Sequence, residues 1–369
     1  MGAAAMVKGQ ALKVARLNCL PLGTVQKQGG AALILVMLVV ALVAVLAVTM
    51  SGRLQMSVLR TSNFQQSEQA YWYWLSAEQV VKDLLQQELS DNDNVATREQ
   101  QWYISSESGA RFPVQDGIIG GQIRDLHSCF NVNALRVSGD SKQDLLTRRR
   151  AQFRLLLAAA NPDIDSYTVD VITDSLVDWL DADSDMISSY GAEDADYQAL
   201  TVPYKAANSM LAHVSELRLI RGVSADIYNN LLPYLCVIPR SSLLSININT
   251  LADDAAPLLH AVTVGAVDLN EAQSALSARD LSGFDSFEEA RNSNVLNTIA
   301  AAQLRPNLGG GAQSAGAANL GTALDDIGVS SEYFELTSEV VYGDLIFRGS
   351  SQLRVTPEQV RVLYRGIGN

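Results

Sequence analysis

Residues 31–50 read AALILVMLVVALVAVLAVTM, without a charge and with Thr49 as the one polar side chain. As a helix rising 1.5 Å per residue, this run spans about 30 Å, the thickness of a bilayer's hydrocarbon core. A buried core helix would need some polar face to turn to water, and so uniform a run has none. Upstream, residues 1–30 hold Lys8, Lys13, Arg16 and Lys27 and no acidic residue. That basic flank keeps the N-terminus cytoplasmic and exports everything after residue 50. The rival reading is a secretory signal, cut behind the apolar run near Ala44–Ala47.

The residues beyond the apolar run argue for a retained anchor. From Ser51 to about Leu89 there is no proline and only one glycine, Gly52. Trp74, Ala77, Val81, Leu84 and Leu85 recur at helical steps and mark one apolar face, to which Tyr71, Trp72 and Tyr73 add. One continuous helix over residues 31–90 would be about 90 Å long, with its outer half packed on a domain.

The chain has 369 residues, 48% hydrophobic and 18% charged, enough for a sizeable core and two globular units. Its net charge is -13, and the exported part is more acidic still because the first thirty residues are purely basic. Such a body repels nucleic-acid phosphates and suits cations or basic partners. Of the three cysteines, Cys19 lies upstream of the span; Cys129 and Cys236 form an even pair in the exported part. An oxidising compartment predicts a disulfide between them.

Along the exported chain, Gln101–Ser105 and Ile118–Arg124 read as short strands, and Gly120-Gly121 weakens the second. Tyr333–Val341, Asp344–Phe347, Gln352–Val355 and Arg361–Tyr364 read as later strands. Between these groups the period is helical, with runs at Leu155–Leu157, at Ile172, Leu176 and Leu180, and at Val223, Ile227 and Leu231. Strands, then helices, then strands predict an α+β fold: a small antiparallel β-sheet domain at residues 91–140 and 326–369, interrupted by an all-α insertion at 141–325. Residues 306–322, PNLGGGAQSAGAANLGT, read as a flexible return loop.

The most pointed chemistry is acidic. Asp181, Asp183 and Asp185 alternate, and Glu193, Asp194 and Asp196 come within a dozen residues. Six carboxylates this close repel one another unless solvated or bridged by a cation, and hard oxygen ligands favour calcium. The opening DxDxD is similar to an EF-hand loop, but Met186 stands where glycine belongs and Ala192 where glutamate belongs, with Glu193 one residue late. A solvated acidic surface loop is the alternative. Catalytic patterns are thin: His127, His213 and His260 have no metal-ligand spacing and read as surface or capping residues, and no GxSxG, HExxH or P-loop occurs. Ser215 with Glu216 reads as a helix start. The stretch from Ile246 through the GFDSFEEA segment resembles a helix-hairpin-helix unit. Its hairpin, Ala261–Asp268, has only Gly265 and no lysine, so it reads as packing and not as a nucleic-acid site.

The junction Lys27-Gln28-Gly29-Gly30 followed by Ala31-Ala32-Leu33-Ile34-Leu35 is similar to a prepilin peptidase site, cut after Gly30 on the cytoplasmic side. Most proteins of that class carry glutamate at the fifth mature position; here it is Leu35. That departure resembles the general secretion pathway protein K family, minor pseudopilins of type II secretion systems. The resemblance extends through Cys129-Phe130-Asn131-Val132-Asn133-Ala134-Leu135, Asp178-Trp179-Leu180-Asp181-Ala182-Asp183, Gly191-Ala192-Glu193 and Pro203-Tyr204-Lys205-Ala206-Ala207-Asn208, in order.

The resemblance implies a structural subunit with a prepilin leader at residues 1–30 and a methylated Ala31. It implies a single-pass inner-membrane anchor with a periplasmic C-terminal domain, and a pilin-like sheet carrying a large helical insertion. Implied partners are minor pseudopilins I and J at the pseudopilus tip, with minor pseudopilin H, major pseudopilin G and the prepilin peptidase. It further implies calcium, one or two ions, held in the insertion by the acidic loop. A type IV pilus-like tip binding module and a signal-anchored, metal-dependent periplasmic enzyme are the competing readings.

Overall fold

A computed structural model of the chain describes residues 29–90, 93–138, 142–293, 296 and 324–368. The leader before Gly29 and the glycine-rich stretch 306–322 therefore lie outside the described residues. The chain divides into two compact units, Met1–Asn63 and Phe64–Asn369, so the division falls inside the first helix. Sheet and helical insertion share the second unit.

In the first unit, helix α1 (Gly29–Leu89) begins, and it is long and apolar enough to cross a membrane. The side chains of its apolar run are exposed, Leu35 and Val48 at 65% and 71%. In water that surface would be strongly unfavourable; in lipid it is the expected state.

In the second unit, the outer part of α1 is followed by α2 (Gln101–Glu107), β1 (Arg111–Val114), β2 (Gly117–Asp125) and β3 (Phe130–Asn131). The helical block then runs α3 (Lys142–Ala160), α4 (Ser166–Leu180), α5 (Asp194–Gln198) and α6 (Ala225–Leu231). Two short strands, β4 (Leu235–Cys236) and β5 (Ile246–Asn247), precede α7 (Ala256–Val262), α8 (Leu269–Ser277) and α9 (Phe287–Asn292). The chain ends in β6 (Ile327–Gly328), β7 (Tyr333–Tyr342), β8 (Leu345–Val355) and β9 (Val360–Ile367).

Five strands form one antiparallel sheet in the order β1-β2-β7-β8-β9. The outer part of α1 packs along one face of it, burying Ala70, Trp74, Leu85 and Leu89 at multiples of about one turn. Trp74 occupies space that only a glycine opposite can leave: a Cβ at Gly349 would lie 2.7 Å from the indole. Glu78 is buried on the same face, where Arg365 of β9 and Ser351 of β8 bind its carboxylate at 2.7 and 2.6 Å. The helical insertion has its own core, centred on Phe130, Phe153, Leu156, Ile172, Leu258 and Leu259. Two parallel strand pairs, β3 with β4 and β5 with β6, connect it to the sheet's strands.

Three local expectations are corrected. Gln101–Ser105 is not a strand but the body of α2, because the Glu88 carboxylate accepts from Gln101 and Trp102 N–H at 2.8 and 3.1 Å and starts a helix there. Trp102 and Ser106, four residues apart, then form its buried face. Asp344–Phe347 and Gln352–Val355 are one strand, β8, continuous through Gly349, Ser350 and Ser351, with a bulge between Gln352 and Leu353. Finally, His127 is buried and not at the surface: its Nδ1 lies 2.9 Å from Ser245 O and its ring stacks on Tyr333. His213 does cap, accepting from Ser215 N–H ahead of a 3₁₀-helix at Val214–Leu219, so the helix expected at Ser215 begins one residue earlier.

Candidate metal centre

The acidic loop leaves the end of α4 and returns at α5. Helix α4 starts on Asp165, which accepts from Thr168 N–H at 2.9 Å, and ends at Asp181. Its C-terminal residues Trp179 and Leu180 are buried, and Trp179 packs edge-on against Tyr197, itself stacked on Tyr204. This aromatic floor fixes where the loop begins and where α5 resumes.

Above the floor, Asp181, Asp183 and Glu193 each offer a carboxylate oxygen, and these oxygens lie within 4.8 Å of one another. Glu193 is 6% exposed, and neither of its buried carboxylate oxygens has a hydrogen-bond partner. Leaving a carboxylate desolvated, unbonded and beside two others is costly unless a cation completes it. Burial raises the Glu193 pKa, and the charges of Asp181 and Asp183 raise it further. Asn208 approaches from the 203–208 segment, donating from Nδ2 to Asp183 O at 2.9 Å, and its own buried Oδ1 has no hydrogen-bond partner. The arrangement collects hard, anionic or amide oxygens from three chain segments, the donor set for a hard divalent cation.

The other three predicted acids are placed differently. Asp185 donates its N–H to Asp183 Oδ1 at 3.0 Å and is exposed. Asp194 accepts from Ala206 N–H at 3.0 Å and pairs with Lys205 at 3.2 Å. Asp196 accepts from Glu193 N–H at 3.2 Å and lies 3.5 Å from Arg221. Asp194 and Asp196 thus serve the first turn of α5, where negative charge is favoured.

Beneath the loop lies a carboxylate that the spacing of acids did not single out. Asp178 is fully buried on α4, accepting from Ile187 N–H and Ala192 N–H at 2.9 Å each. Burial pushes its pKa up to about 7, with Glu193 and Asp181 adding to the rise against the two N–H bonds. One turn earlier, Asp174 accepts from Ser188 Oγ at 2.6 Å and pairs with Arg150 and Arg154. The available signal was the spacing of Asp170, Asp174 and Asp178, four residues apart along one helix.

Of the remaining predicted residues, Gly30 and Ala31 lie in the first turn of α1, exposed. Cys129 and Cys236 are joined as a disulfide with Cα atoms 5.7 Å apart. Both are buried, in a small cluster with Leu126, Ile238 and Tyr333. The hairpin between α7 and α8 turns through Val264 and Gly265 at positive φ, and His260 Nδ1 lies 2.6 Å from Val267 O.

Comparison with known proteins gives consistent results. Two family models, both described as type II secretion system (T2SS), protein K, match residues 128–240 and 246–317. A protein of Pectobacterium carotovorum subsp. carotovorum called type II secretion system protein K is 36% identical over 93% of this chain and 97% of its own length. One of that name from Aeromonas hydrophila is 41% identical over 70% of this chain and 78% of its own. Among solved structures, a chain of the GspK-GspI-GspJ complex from the enterotoxigenic Escherichia coli type 2 secretion system matches 84% of this chain and 99% of its own. The TM-score is 0.68 and the identity 28%.

Proposed function

Because the chain belongs to the type II secretion system protein K family, we propose that it is a structural minor pseudopilin and not an enzyme. It sits at the pseudopilus tip with minor pseudopilins I and J and helps to initiate pseudopilus assembly for protein export. The observation that carries this reading is the likeness over 99% of a chain taken from a GspK-GspI-GspJ complex.

The chain's features fit a tip subunit that works by shape. Leu35 leaves the apolar run without the carboxylate that would seek a partner's terminal amine, so the subunit has no need of a neighbour ahead of it. The larger compact unit, Phe64–Asn369, would serve as the bulky head of such a subunit. Family membership also supports cleavage after Gly30 by the prepilin peptidase, methylation of Ala31, an inner-membrane span with a periplasmic body, and contacts with minor pseudopilin H and major pseudopilin G. Calcium, one or two ions, would be held by Asp181, Asp183 and Glu193, with Asn208 as a further oxygen donor. There it would neutralise the loop and tie the α4, α5 and 203–208 segments together.

The test is co-expression of the full chain, affinity-tagged, with minor pseudopilins I and J of the same secretion system. Both should be retained through detergent extraction and gel filtration, and deleting this chain should stop export of the system's substrates. Retention of neither, with export intact, would reject the tip assignment.

A further inference from the structure

The Asp178 carboxylate is buried in the last turn of α4, directly under the acidic loop. Its two oxygens are both occupied, by Ile187 N–H and Ala192 N–H, each at 2.9 Å. Those two amides bracket the far side of the acidic loop. Gly191 between them is held so close that a Cβ there would lie 1.9 Å from Asp178 Oδ2. Arg221 Nη1 donates to Gly191 O at 3.2 Å from the other side. The residue after Ala192 is Glu193, whose carboxylate reaches Asp181 and Asp183.

We propose that Asp178 is the positioning residue of the cation loop: it binds no metal itself but sets the place at which Glu193 meets Asp181 and Asp183, and so sets the affinity for calcium. The inference rests on the calcium reading above. A carboxylate accepting two backbone amides at one end of a loop fixes both residues to a rigid helix, as outer-layer groups do around other metal sites. Without it, the loop is tied to α4 through Ser188 Oγ, which donates to Asp174, and through Ser175 Oγ, which donates to Tyr190 O at 3.3 Å. Glu193 would then explore positions away from the other two carboxylates, and mutual repulsion would drive it there.

The experiment uses the full chain in detergent and measures the calcium dissociation constant by titration calorimetry, alongside melting temperature in chelator. The variants are Asp178→Asn, which keeps the shape but replaces one acceptor by an amide donor, and Ser188→Ala, which removes only a weaker tie. Asp178→Asn should weaken calcium binding about tenfold or more, and Ser188→Ala less, with smaller changes in the chelator melting temperature. Unchanged calcium affinity in Asp178→Asn overturns the proposal, as does a loss of melting temperature equal in calcium and chelator. If Asp178→Asn does not fold, Ser188→Ala decides by the same two measurements. Absence of calcium binding by the unaltered chain would instead overturn the calcium reading itself.

Discussion

At the scale of the residue, the acidic loop makes the sharpest statement about conditions. Asp178 and Glu193 both hold protons more tightly in the folded chain than ordinary carboxylates do, chiefly through burial. The folded state therefore gains from their protonation. That gain is complete below the unfolded range near 4 and is lost as pH rises toward about 7, where Asp178 ionises. Calcium takes only ionised ligands, so its stabilisation should grow with pH as Glu193, whose pKa is raised chiefly by burial, loses its proton. At a hundredfold excess over its dissociation constant it should supply about 2.7 kcal/mol. The melting-temperature gap between calcium and chelator should be wider at neutral pH than near pH ~5, and Glu193→Ala should close it. A gap that narrows toward neutrality would contradict the assignment. A second residue-scale expectation concerns packing: Gly349→Ala sets a methyl against the Trp74 indole at 2.7 Å and should cost about 1–3 kcal/mol in urea unfolding. Equal stability would mean that Trp74 has room to yield. Only part of the loop is legible in the sequence. Six acids share one charge signature there, and what separates Asp181, Asp183 and Glu193 from Asp194 and Asp196 is the helical start of α5 and the cations Lys205 and Arg221.

At the scale of the element, strands with clean alternation are readable and strands without it are not. In β7, Tyr333 to Val340 alternates well enough to announce itself. The centre of β8 is Gly349-Ser350-Ser351, which carries no apolar signal and is a strand because β7 pairs it and Trp74 needs the space. Strand β1 is short, largely exposed and contains Pro113, tolerable there because it pairs only with β2 and is an edge. Buried Glu78 is invisible in the sequence because its partner Arg365 comes from the last strand. The disulfide joins the segment after β2 to β4 across a separation of 107 residues. Replacing both cysteines by alanine should lower stability by about 2–4 kcal/mol, measured by denaturant unfolding. The unreduced, denatured, leader-free chain should show no free thiol; finding two would refute the bridge.

At the scale of the whole molecule, the reading depends on which part of the N-terminal region stays attached. If the chain is cut after Gly30, intact mass should show loss of residues 1–30 and one methyl group on Ala31. Loss through about Ala47 would instead mark a soluble exported protein. Gly30→Phe should leave the precursor uncut in the membrane, because the peptidase needs close approach to the backbone at that point. Normal maturation of that variant would move the cut elsewhere. The broad architecture is legible at this scale, since an apolar run, a basic flank and a strand–helix–strand order survive without any knowledge of contacts. The end of the first helix is legible as well, since α1 stops at Leu89, whereas the division of the compact units at Asn63–Phe64 is not marked, because it falls within that helix.

The central pairing of the sheet, β2 with β7, sets Asp125 opposite Phe334 and Gly117 opposite Tyr342. If the part beyond the apolar run crosses a membrane in chain order, with the N-terminus held back, β1 and β2 would emerge long before β7. During that interval the hairpin has an open edge, and the loop eventually closed is long enough to make the encounter slow. The helical insertion, whose own core is drawn largely from residues 130–296, can form while translocation continues. On that order of emergence, the helical block would fold before the sheet, and the pairing of β2 with β7 would close last.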